Sequence, residues 1–200
     1  MVNRKPSTGD EIRQRILEAA TERFAQFGYN KTTMAEVARD CDMSAANLYR
    51  YFHNKLDIGA NLACDCLAAK RELLQAIVHQ NERCAAERLH DVVLQALTYT
   101  YEQWADNPRM NEMVNAICKE RMDIVEEHRR GEHLLLVELL EDGVARGEFQ
   151  VVDLDDTATA IATAITAFNV PLLMPLYSLG TFRQRAESVV KLMLNGLRKR

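Results

Sequence analysis

The chain has 200 residues, 48% of them apolar and 27% charged, which suffices for a small domain followed by a medium one. Gly (8) and Pro (4) are scarce, while the strong helix formers Ala, Leu, Glu, Arg and Gln abound, so the composition points to helix and away from sheet. The formal net charge of −4 is unevenly spread, +1 over residues 1–60 and −5 over the remainder, so any polyanion-facing surface is expected at the N-terminal end.

Thr8-Gly9-Asp10-Glu11 has the spacing of a capping box. Behind it, Ile12, Ile16, Ala19, Ala20, Phe24 and Phe27 form one apolar stripe of a first helix, and Gly28 is suited to stop it. Thr33 with Glu36 is a second capping box, opening a short helix with Val37, Ala38 and Cys41 inward. Asp42 and Met43 make a tight break. Ser44 is a natural N-cap for a third helix over Ala45–Phe52, with Leu48 and Phe52 on one face. Two short helices across such a turn are the helix-turn-helix pattern. Asn54 then caps a long fourth helix, from Lys55 to about His79, with Ile58, Leu62, Cys66, Leu73 and Ile77 as its stripe.

Further helices follow over Glu87–Asp106 and Arg109–Glu120, the second introduced by Asn107-Pro108. A long helix then runs to Arg146, where Gly147 stops it. The acidic segment Val151–Asp156 caps a helix expected over Ala158–Leu173, and Thr181–Arg200 closes the chain as an amphipathic helix. No apolar run reaches the roughly 18 residues needed to cross a bilayer, and Met1–Asp10 lacks the apolar core of a secretory signal. The expected location is the cytoplasm. The five cysteines include no C-x-x-C pair, and Cys64 and Cys66 would face different sides of a helix. They read as reduced, small apolar residues, with a redox role for Cys64 or Cys66 as the alternative. His128 and His133 are five apart, a poor spacing for a shared helix face. No metal, cofactor or catalytic residue is expected, because no H-E-x-x-H, phosphate-binding loop or repeated E-x-x-H pair occurs.

The stretch Phe24–Asp57, F-A-Q-F-G-Y-N-K-T-T-M-A-E-V-A-R-D-C-D-M-S-A-A-N-L-Y-R-Y-F-H-N-K-L-D, resembles the DNA-binding segment of the tetracycline-repressor (TetR) family. The shared features are F-x-x-x-G-Y, T-T-x-x-x-V-A, a turn followed by Ser, and L-Y-x-Y-F-x-x-K. Asp42 stands where the family usually has Gly, and Asp tolerates a left-handed backbone better than most residues. The resemblance implies an all-α fold: a three-helix helix-turn-helix head (1–54), joined by a long helix to a ligand-binding and dimerisation body (55–200).

The residues favour the same reading. A recognition helix must enter a major groove about 12 Å wide. Ala45 and Ala46 let its backbone approach, and Asn47 suits a base edge, adenine above all. Tyr49 and Tyr51 offer a ring and a hydroxyl, although Tyr49 also fits a packing role. Arg50 is either a contact or a solvated side chain. Thr33 and Ser44 place hydroxyls at helix N-termini, where phosphate is favoured. The resemblance carries DNA contact to Thr33, Ser44, Ala45, Asn47, Tyr49, Tyr51 and Lys55. Arg4 and Lys5 form a candidate minor-groove arm.

The implied partners are a double-stranded DNA operator, a small-molecule effector and a second copy of the chain. Half-sites one DNA turn apart require two heads. The last two helices, rich in small residues (Ala158, Ala160, Ala162, Ala164, Ala167), are the expected dimer interface, with Arg198-Lys199-Arg200 complementing the final helix dipole. Candidate effector-lining residues are Tyr99, Trp104, Met113, Met122, Phe168 and Asn169, although Met and aromatic residues at helical spacing also serve as plain core. The rival readings are the same fold organising the chromosome or acting through a protein partner without an inducer, a helical enzyme, for which no motif is present, and a purely structural helical bundle, which leaves the surface over Ala45 to Lys55 unexplained.

Overall fold

The computed structural model describes residues 8–105 and 107–197. The expected arm at Arg4 and Lys5, the capping side chain of Thr8 and the terminal Arg198-Lys199-Arg200 lie outside the described residues. Nine α-helices occur among those described, and no sheet. They are α1 (Thr8–Phe27), α2 (Met34–Asp40), α3 (Ala45–Leu48), α4 (Lys55–Val78), α5 (Ala85–Trp104), α6 (Asn111–Glu120), α7 (Met122–Ala145), α8 (Leu154–Ala164) and α9 (Leu179–Leu197).

By compactness the chain divides into residues 1–66 with 107–124, and residues 67–106 with 125–200. In the first unit, Ile16, Ala20 and Phe24 of α1, Val37 of α2, Leu48, Phe52 and Ile58 are fully buried. Phe24 meets Tyr29 edge to face, with ring centroids 5.1 Å apart. Gly28 ends α1 at φ +92, as its place after the stripe predicts, and Asp42 takes the left-handed turn at φ 52. Phe27, expected inward, is instead exposed; Arg23 covers its ring at 5.0 Å.

The second unit packs α5 against α9 around Leu89, Val93, Leu97, Phe182, Ala186 and Val190. On α4 the inward positions are Lys70, Leu74, Ile77 and Val78, and Leu73 is exposed. In this unit α4 therefore faces inward at 70, 74, 77 and 78, a helical spacing whose first member is a lysine, while Ile77 here and Ile58 in the first unit are buried as the expected stripe has them.

The helix expected over Ala158–Leu173 stops at Ala164. It is followed by 3-10 turns at Thr166–Phe168 and Pro171–Leu176. Pro171 has no N–H to continue the ladder, and it holds Val170 extended (φ −95, ψ 114). Asp153 caps α8 by accepting from the Asp156 amide at 2.9 Å.

Candidate nucleic-acid interface

Local hydrogen bonds build the helix-turn-helix. Thr33 Oγ1 accepts from the Glu36 amide (3.3 Å), while Glu36 Oε2 accepts from the Thr33 amide and hydroxyl (both 2.8 Å). Those donors hold the Glu36 carboxyl below its usual range, with a smaller contribution from Arg23. Ser44 Oγ caps α3 by accepting from the Asn47 amide at 3.2 Å. The α-helix proper is shorter than the expected Ala45–Phe52. After Leu48 the chain tightens, with Arg50 N–H donating to Asn47 O and Tyr51 N–H to Leu48 O. Asn54 Oδ1 accepts from the Asp57 amide (2.8 Å) and Asp57 Oδ2 from the His53 amide (3.1 Å), so two side-chain caps open α4.

The sequence-derived residues come together on this element. Thr33, Ser44, Ala46, Tyr49 and Arg50 are exposed, Ala45, Asn47 and Tyr51 are half-buried, and Leu48 and Phe52 anchor them from within. Tyr49 is 50% exposed, which leaves its ring available for contact. Lys55 sits differently. Its ammonium donates to three backbone carbonyls of the same unit, those of Tyr29, Asn30 and Thr32.

Sequence reasoning missed the residue that ties the recognition turn down. Arg13 on α1 donates through Nη1 to Tyr51 O (2.9 Å) and through Nη2 to Asn61 Oδ1 (3.2 Å), and its guanidinium lies 4.5 Å from the Phe52 ring centre. Asn61 in turn donates to Asp57 O at 2.8 Å. Nothing in the local pattern separates Arg13 from other polar-face residues of α1.

The candidate effector residues divide between the two units. Met113 and Met122 belong to the first unit, where Met113 is buried and approaches Gly59. Tyr99, Trp104, Phe168 and Asn169 belong to the second. Phe168 is buried there, edge-on to Phe182. Asn169 Oδ1 accepts from Lys70 Nζ at 3.4 Å, and Lys70, 3% exposed, pairs with Glu132 at 3.0 Å. His128 Nε2 lies 3.3 Å from the same carboxylate. Burial alone would raise the Glu132 carboxyl, but His128 and Lys70 hold it down to about 2. This polar cluster, like the buried Arg88 paired with Asp142, is a feature of the second unit that an apolar-stripe reading overlooks.

Among the described residues no group of three or more His, Cys, Asp or Glu side chains gathers as a metal site, and no helix is long and apolar enough to cross a membrane. Cys64 is exposed and its thiol is pushed up, chiefly by partial desolvation with Arg121 opposing.

Comparison with known proteins adds three findings. Residues 16–59 match the family described as bacterial regulatory proteins, tetR family, and residues 85–190 match the tetracyclin repressor-like, C-terminal domain. The HTH-type transcriptional regulator HbdR of Aromatoleum sp. (strain CIB) is 40% identical over 53 residues, 26% of this chain and 23% of HbdR, so the match spans about a quarter of that relative's length. Two solved structures share the fold: a putative TetR-family transcriptional regulator from Mesorhizobium loti (TM-score 0.77, 14% identity, 97% of this chain and 100% of that one) and the fatty acid degradation regulator FadR from Bacillus halodurans (TM-score 0.70, 22% identity, 98% and 100%).

Proposed function

The chain belongs to the tetR family of bacterial regulatory proteins, and from that membership we propose that it is a DNA-binding transcriptional regulator, a repressor released from a palindromic operator by a small-molecule effector. The observation that carries this reading is the exposed, doubly capped helix-turn-helix, whose outer residues are small or hydrogen-bonding and whose inner residues are fully buried. Thr33 and Ser44 meet phosphate. Ala45 and Ala46 permit close approach, and Asn47 reads a base edge. Tyr49, Arg50 and Tyr51 complete the contact. In this reading the DNA-contacting residues lie within 1–54 and sensing and dimerisation fall to the chain after Asn54, of which residues 55–66 and 107–124 pack in the same compact unit as the head. The chain has no enzymatic role in this reading.

Dimerisation through α8 and α9 is supported by apolar surface that the single chain leaves uncovered. Leu192 on α9 is 73% exposed, and Leu176 (61%) and Tyr177 (42%) line a 650 Å3 groove together with Ala164 and Ala167. Effector sensing is supported by the buried Lys70–Glu132–Asn169 group, since perturbed titratable groups cluster at functional sites. A ligand acts on DNA affinity only through its different affinities for the two conformations.

Selection of duplexes from a random pool tests the proposal. A palindrome with half-sites one turn apart, bound by two chains, is expected; an asymmetric site bound by one chain overturns it. Trp104 is the only tryptophan, so its fluorescence reports effector binding in the second unit. Operator affinity that no effector changes would favour the alternative, the same fold acting through a protein partner.

A further inference from the structure

Two side chains distant in sequence close on one turn of the reading unit. The turn at residues 28–32 joins α1 to α2. Lys55 Nζ, from the first turn of α4, donates to Tyr29 O (2.5 Å), Thr32 O (2.9 Å) and Asn30 O (3.3 Å). An ammonium has three N–H donors, and three carbonyls take them. The Tyr29 ring lies 4.4 Å from the same nitrogen, adding a cation–π contact. A group so engaged would have to break internal bonds to reach a phosphate.

The turn's amide side faces the opposite charge. The Asn30 N–H donates to Glu112 Oε2 at 2.7 Å, from α6, 82 residues away in sequence. The carboxylate seats where residue 28 has no side chain: a Cβ there would stand 3.0 and 3.1 Å from its two oxygens. Gly28 is therefore favoured by its φ of +92, and any side chain there would also press on the Glu112 carboxylate. Arg109, just ahead of α6, donates to Gln26 O at the end of α1. Carbonyls thus face a cation and an amide faces an anion, and Glu112 also attracts Lys55 through space.

We infer that Lys55 and Glu112 are positioning residues for DNA binding, a two-sided clamp on the 28–32 turn that carries α2, and that neither touches the duplex. This rests on the DNA-binding reading. It gives residues 107–124 a task in DNA recognition, and it assigns Lys55 a role different from direct phosphate contact.

The test compares wild type, Lys55→Gln and Glu112→Gln for binding to a duplex recovered from the random pool by wild type, across a salt series, with thermal unfolding alongside. Both variants should bind the selected duplex more weakly by roughly tenfold, the scale of one charge-assisted hydrogen bond. The salt slope should stay at the wild-type value, because no phosphate contact is lost. The sign for Glu112→Gln is diagnostic. Removing a negative charge would by itself strengthen binding to a polyanion, so only a positioning role weakens it. A slope smaller by about 1 in Lys55→Gln overturns the assignment in favour of phosphate contact. So does unchanged or tighter binding by Glu112→Gln, the near-isosteric variant that carries the test if Lys55→Gln fails to fold. Failure of the wild-type chain to bind any duplex overturns the DNA-binding reading and the clamp with it, whereas binding by wild type with unaffected variants overturns the clamp alone.

Discussion

Arg13→Ala removes the fork that holds the recognition turn. The side chain makes two hydrogen bonds, at 2.9 Å to Tyr51 O and 3.2 Å to Asn61 Oδ1, and covers the Phe52 ring at 4.5 Å. The site is partly buried, so each hydrogen bond contributes about 1 kcal/mol rather than the upper value for charged donors. The cation–π contact adds about 0.5 kcal/mol. The loss should therefore be about 2–3 kcal/mol, since Tyr51 O and Asn61 Oδ1 both lose a donor. Urea unfolding followed by circular dichroism measures it as a lower midpoint at unchanged m-value. Operator affinity should fall too, because Tyr49 to Tyr51 lose their external brace. Arg13→Lys keeps the charge but not the planar fork, and should recover less than half of the loss. A change below about 0.5 kcal/mol in Arg13→Ala would refute the reasoning, by showing that the i→i+3 bonds hold the turn unaided.

Three further outcomes are expected. Asp42→Gly should raise stability by about 0.5–1 kcal/mol, because residue 42 sits at φ 52, where a Cβ is penalised; a drop in the denaturation midpoint would contradict this. Glu132, held at about 2 in the folded chain, stabilises it above the unfolded carboxylate value of about 4.3, and this contribution of roughly 3 kcal/mol is lost as pH falls toward 2. Glu132→Gln should remove that acid dependence, and a pH–stability curve parallel to wild type from pH 5 to 2 would argue against it. At His90, burial acts to lower the pKa, but bonds to Asp91 and Glu187 outweigh it and leave the ring raised. Its α5-to-α9 link therefore stabilises fully below about 6.5 and fades as pH rises through the folded value. His90→Gln should flatten this window, which a thermal-unfolding series from pH 5 to 9 would reveal.

Every feature legible in the sequence was one whose cause lies within a few residues. Thr33 with Glu36, Ser44, Asn54 with Asp57, and Asp153 form their caps from neighbours three positions away. Gly28 and Gly147 take positive φ where the apolar stripes end. Ile16, Phe24, Leu48 and Phe52 are inward because a 3.6-residue period leaves them one face to bury. Tertiary structure decided what depends on who packs opposite. Lys70 occupies a core position because Glu132 and Asn169, far along the chain, supply its partners, and no local pattern gives a lysine that place. Leu73 is exposed because the buried face of α4 takes Leu74 instead, and Phe27, the last residue of α1, is exposed with its ring covered by Arg23. Glu112 joins the reading unit because folding brings a carboxylate to an amide 82 residues away. Periodicity and capping are properties of the local chain, whereas the pairing of charges is a property of the folded surface each one meets.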